Sequence, residues 1–122
     1  MTNVGRALYN FWSSFGLSAY PEDTVPDNVE TPYITYSIRQ PDWTDSDSLY
    51  ARVWYRSDSY TGVMAKVDEI GRKLESGYSA PTDDGGYVVL MKDSNFAQFQ
   101  PYEVDPNMKV AYLSLIMHAF TG

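Results

Sequence analysis

Asn107–Phe120 reads NMKVAYLSLIMHAF, and both faces of the strand it predicts, Met108–His118, are apolar. Under period-two alternation Val110, Tyr112 and Ile116 point one way, and Ala111, Leu113, Leu115 and Met117 the other. The strand predicted before it, Tyr87–Lys92 (YVVLMK), repeats the pattern, with Val88 and Leu90 opposed to Val89 and Met91. A sheet with one wet face alternates more cleanly than this. Both sides of these two strands therefore need a cover.

Two further strands lie upstream. PYITYSIR predicts Tyr33–Arg39, with Ile34, Tyr36 and Ile38 on one face. LYARVWYRS predicts Leu49–Arg56, with Ala51, Val53 and Tyr55 toward the core and Tyr50, Arg52, Trp54 and Arg56 away from it. The two read as an antiparallel hairpin whose tip, QPDWTDSDS, protrudes. Helical spacing marks two other segments. Val4, Leu8, Phe11, Trp12 and Phe15 form one face of a helix over Asn3–Phe15, stopped by Gly16. Tyr60, Val63, Met64, Val67, Ile70 and Leu74 do the same over Ser59–Glu75, capped by Ser57 or Asp58 and ended by Gly77. Three prolines, Pro21, Pro26 and Pro32, argue against regular structure in the connection AYPEDTVPDNVETP. SAPTDDGG and SNFAQFQPYEVDPN read as loops. The expectation is an α+β fold in the order α-β-β-α-β-β: a four-stranded, mostly antiparallel sheet with two helices on one face. Two helices cover only one face, which leaves the other for a second copy of the chain.

Length fits one domain, residues 1–122. Hydrophobic residues make up 43%, which argues against disorder, and eleven Tyr, five Phe and three Trp exceed what one small core needs. With no cysteine, thiolate chemistry and disulfides are excluded, and with His118 as the one histidine no site can use two imidazoles. No catalytic set, metal site or cofactor motif is expected; DWTDSDS lacks the glycine and glutamate of a calcium loop. No apolar run approaches a membrane span, and MTNVGRALYN does not read as a signal peptide. Nine Lys and Arg against sixteen Asp and Glu give a net charge of −7, contrary to general nucleic-acid binding. Most acids fall in predicted loops, among them Asp42, Asp45, Asp47, Asp83 and Asp84.

The outward set Tyr50, Arg52, Trp54 and Arg56 has the composition of a protein–protein contact. Trp43, set in a polar loop, is a second contact candidate. Trp54, facing away from the helices, is expected to be free of the monomer core.

GRALYNFWSSFGLSAY, PYITYSI with QPDW, ARVWYRS with KVDEIGRKL, and KDSNFAQFQPYEVDPNMKVAYLSLIMHAF span nearly the whole chain. In these stretches it resembles the siphophage tail terminator proteins, also called tail completion or tail-to-head joining proteins, of phages and prophages of Gram-positive hosts. The resemblance implies a small α+β domain with helices on one side of a sheet. It implies a virion protein, assembled in the host cytoplasm, that forms a ring, usually a hexamer. Such a ring caps the tail tube, stops its polymerisation and meets the head connector or stopper, while DNA passes through the lumen without specific binding. It transfers no catalytic residue. The residues also leave open a head-completion or stopper protein, a small enzyme or ligand-binding domain, and a nucleic-acid-binding module.

Overall fold

A computed structural model describes residues 3–38, 46–82 and 85–120. The order is α1 (Asn3–Ser13), β1 (Ser18–Pro21), β2 (Tyr33–Tyr36), β3 (Ser46–Arg56), α2 (Thr61–Lys73), β4 (Tyr78–Pro81), β5 (Tyr87–Pro101) and β6 (Met108–Phe120). One six-stranded sheet runs β1-β2-β3-β6-β5-β4. The β1–β2 pair is parallel and the rest antiparallel. The expected four-stranded sheet in the order α-β-β-α-β-β is therefore corrected to six strands in a mixed, curled sheet.

The two missed strands, β1 and β4, are four residues long and end in Pro21 and Pro81. Four residues are too few for alternation to declare itself, and proline is tolerated where no further strand needs its N–H, at a sheet edge. The third difference is β5, which continues through the stretch read as a loop. Lys92 pairs with Leu115 and Ala97 with Leu113, so β5 carries three more residues than β6 between those rows. This bulge shifts the alternation: Val88 and Leu90 face the helices before it, Ala97 and Phe99 after it. A strand whose phase changes midway does not read as one strand. β2 is shorter than expected, and Ile38, assigned to the core, lies past its end at 43% exposure.

Both helices bury their apolar stripes against the same sheet face. Leu8, Phe11, Trp12 and Phe15 of the α1 region join Val63, Val67, Ile70 and Leu74 over Ile34, Tyr36, Val53, Leu113 and Leu115. Met64, placed in the α2 stripe, is instead exposed. α2 sits on the central strands β3 and β6, whereas α1 touches the outermost strands, β1 and β4. Six flat strands would hold those edges about 24 Å apart, more than twice a helix diameter, so the sheet curls around the helices.

The α1 C-terminus has no basic residue of its own in its last turn, and α2 supplies two. Lys66 Nζ donates to the Phe15 carbonyl and Lys73 Nζ to Ser14 Oγ, both at 2.7 Å. Cations there offset the negative end of the helix dipole and tie α1 to α2. Gly16 takes φ +79° and Gly77 φ +89°, the left-handed stops read from sequence. At the α2 start the capping position is Tyr60, without a side-chain cap. Ser57 Oγ accepts from the Ser59 N–H instead, and Ser59 Oγ from the Thr61 N–H, a relay of local turns in place of the expected cap.

Candidate interaction surface

The sheet face turned away from the helices is built by alternation along four paired strands. The registers align Tyr33 with Trp54, Val110 and Gln100, and Thr35 with Arg52, Tyr112 and Gln98. Tyr50 opposes Ser114, and Met91 opposes Ile116. Tyr50, Arg52, Trp54 and Arg56 do share this face, as read from sequence, but they do three different things.

Trp54 is 9% exposed. Its indole stacks on Tyr33 at 5.8 Å and 13°, and Tyr102 meets it edge-on at 5.2 Å. Tyr20 extends the cluster beyond Tyr33, and Val110 beneath is fully buried. The expectation that Trp54 is free of the monomer core is corrected: it centres a second, smaller core on the outer face. The cover comes from the β5–β6 turn. Tyr102 N–H donates to the Met108 carbonyl at 2.8 Å, and Asp105 N–H to the Tyr102 carbonyl at 3.2 Å.

Arg56 fastens that turn. Its guanidinium lies 2.8 Å from Asp105 Oδ2, and this hydrogen bond, with the Asn107 N–H on the same carboxylate, holds Asp105 below the usual carboxylate range. The pair is solvent-exposed, so it orients the turn more than it stabilises the fold.

Tyr50 and Arg52 stay in solvent. Tyr50 is 51% exposed, and Arg52 lies over the Tyr112 ring at 5.3 Å, a cation–π contact. With Glu22 they rim a hollow of about 220 Å³. Nearby, Ser114 Oγ donates to Asp93 Oδ2 at 3.0 Å and anchors the β5 bulge to the centre of β6. His118 is half-buried on this face, in the row of Val89.

Trp43, Asp42, Asp45, Asp83 and Asp84 lie outside the described residues. Asp47 falls within β3 rather than a loop. Sequence reasoning missed Tyr33 and Tyr102 as partners of Trp54, and Tyr20 behind Tyr33. Alternation from Thr35 already puts Tyr33 on this face, whereas nothing local to Tyr102 foretells that its turn folds back.

A second concave region separates α2 from the far half of β5. It measures about 370 Å³, with Val67, Gly71, Phe96 and Phe99 as apolar lining and Arg72 and Lys92 among its charged groups. Lys92 lies 5.6 Å from the centre of the Phe96 ring and 3.9 Å from Glu75. Among the described residues no three His, Cys, Asp or Glu side chains gather as metal ligands, and no helix is long and apolar enough to cross a membrane.

The fold is similar to that of a chain in the virion of a native gene transfer agent particle, with a TM-score of 0.68 over 98% of this chain and 92% of that one. The two sequences are 14% identical, so the likeness is one of fold. No family model matches this chain, and no curated protein matches it.

Proposed function

We propose that this chain is a structural protein of a phage-like particle, and within it a tail terminator: a ring that caps the tail tube and joins the tail to the head connector. The observation that carries the reading is a fold shared along almost the whole chain with a component of a phage-like virion. The resemblance of the sequence to tail terminators points the same way. The outer sheet face supports a contact role. Tyr50, Arg52 and Tyr112 form a patch of aromatic rings and a cation, held on a rigid sheet whose other face is filled by the helices. A ring subunit needs two different contact surfaces that close by rotation. The partners on this reading are further copies of the chain, the tail tube protein and the head connector. A net charge of −7 suits a lumen along which DNA slides without being held.

The test is deletion of the gene from the particle that encodes it, followed by electron microscopy. A tail terminator leaves tails of uncontrolled length that do not join heads. Normal tails beside heads that have lost their DNA would assign the chain to head completion. Particles of normal form and infectivity would remove it from the virion altogether.

A further inference from the structure

The turn that joins β5 to β6 holds an apolar side chain out in water. Val104 is 80% exposed, more than any other large apolar residue described. A single exposed valine is ordinary. The turn beneath this one, however, is not built as a loose tip. Besides the bonds from Tyr102 and Asp105, the Met108 N–H donates to the Asp105 carbonyl at 2.9 Å. Two bonds of 2.8 Å tie the turn to the end of β3: Arg56 to Asp105 Oδ2, and the Ser57 N–H to the Asn107 carbonyl. Lys109 Nζ donates to the Pro106 carbonyl at 2.6 Å. Valine has one side-chain torsion, and its branching restricts it. Val104 is therefore ordered before anything binds it, and little entropy is left to lose on contact.

A hollow of about 320 Å³ adjoins this knob, lined by Val29, Glu30, Thr31, Arg56 and Met108. Arg56 is common to both, since its guanidinium holds the residue after Val104. The charge left over at this end of the sheet is negative. Asp105 is matched by Arg56, and Lys109 lies over the Tyr60 ring at 5.5 Å. Glu30 and Glu103 are exposed, and neither has an ion-pair partner among the described residues.

We propose that this end of the sheet, with Val104 as its anchor, docks a protein other than this chain, one that presents an apolar socket rimmed by lysine or arginine. Charge decides against a second copy. The hollow against α2 sets Asp68 and Glu75 beside Arg72 and Lys92, and the one on the outer face sets Glu22 beside Arg52. A third is rimmed by Glu22 and Asp23. None of these offers a basic surplus to Glu30 and Glu103, and each copy carries −7 as a whole. Nucleic acid is excluded by the same sign, since its phosphates are repelled. The inference rests on the virion reading above and names the surface that meets a different component of the particle.

The test uses assembled particles with the photo-crosslinking residue p-benzoylphenylalanine placed at Val104. Irradiation is expected to join the chain to one other virion protein, at a peptide that carries lysine or arginine. A product with another copy of this chain would overturn the proposal and make the knob a ring contact. No product from intact particles would overturn it as well. Val104→Asp should leave the thermal midpoint and sedimentation of the purified chain unchanged, because the residue already stands in water. It should lower the yield of joined particles about tenfold, as loss of a hot-spot contact does. Val104→Leu should join normally. Normal yield from Val104→Asp would sink the anchor role, and normal yield from Glu30→Lys/Glu103→Lys would sink the basic rim. Gene deletion separates the two readings. If deletion damages the particle and Val104→Asp does not, the docking surface fails alone; if deletion leaves the particle normal, the virion reading fails with it.

Discussion

The indole N–H of Trp54 donates to Thr35 Oγ1 at 3.0 Å, a buried bond between β3 and β2 on the face that carries no helix. It converts what looks from sequence like a spare contact residue into a structural one. A buried indole N–H needs a partner, and threonine on the neighbouring strand supplies it without breaking the alternation.

Thr35→Val keeps the shape and removes the acceptor. It is expected to cost about 1–3 kcal/mol, the penalty of an orphaned buried donor. Trp54→Ala should cost about 3–5 kcal/mol, and Trp54→Glu should unfold the chain rather than leave a folded, non-assembling monomer. Urea denaturation of the three variants checks this. A folded Trp54→Glu with an unchanged midpoint would mean that the Tyr33–Trp54–Tyr102 cluster opens in solution.

On the helix side, Phe11 is fully buried and meets the rings of Trp12, Phe15 and Tyr78 at 4.9–5.2 Å. Phe11→Ala is expected to cost about 3–5 kcal/mol, a large share of the roughly 5–15 kcal/mol a domain of this size possesses. Calorimetry should register a clear fall in thermal midpoint.

Tyr36 is fully buried, and its hydroxyl finds no hydrogen-bond partner among the described residues. Burial, with a smaller contribution from Tyr9, pushes its pKa from 10.0 up to about 12. A folded-state pKa raised above the unfolded value means stability that is complete below pH 10 and lost as pH climbs through about 12. Tyr36→Phe should therefore be neutral or stabilising by about 1 kcal/mol at pH 7, and should flatten the alkaline decline. Melting curves from pH 8 to about 11.5 for the two proteins test the sign.

Two glycines of α2 should respond differently to alanine. A Cβ at Gly71 would touch the Phe96 ring at 3.4 Å, ordinary contact, so the gain in helix propensity, up to about 1 kcal/mol, should prevail. A Cβ at Gly62 would come within 3.1 Å of the Tyr55 ring and spend that gain on displacing it. Gly71→Ala should raise the midpoint; Gly62→Ala should not.

Tyr50→Glu changes a residue that is 51% exposed and packs against no core. The fold should be unaffected, to within about 0.5 kcal/mol, while assembly measured by sedimentation falls if the outer face is a contact. Unchanged assembly would withdraw this patch as a contact.

The sequence alone determined the elements long enough to express a period. Helical spacing from Val4 to Phe15 and from Tyr60 to Leu74 fixed both helices and the stripes they bury, apart from Met64. Alternation fixed β3 and β6, the faces of their side chains, and hence the outer set Tyr50, Arg52, Trp54 and Arg56. Tertiary structure decided the rest. β1 and β4 exist because a neighbouring strand offers hydrogen bonds to four residues whose own pattern is silent. β5 extends past Lys92 because Asp93 and Ser114 hold a bulge that resets its phase. Trp54 is buried because a turn some fifty residues downstream folds Tyr102 over it. Periodicity reports which way a side chain points; what meets it there is set by segments distant in the chain, and no local pattern encodes them.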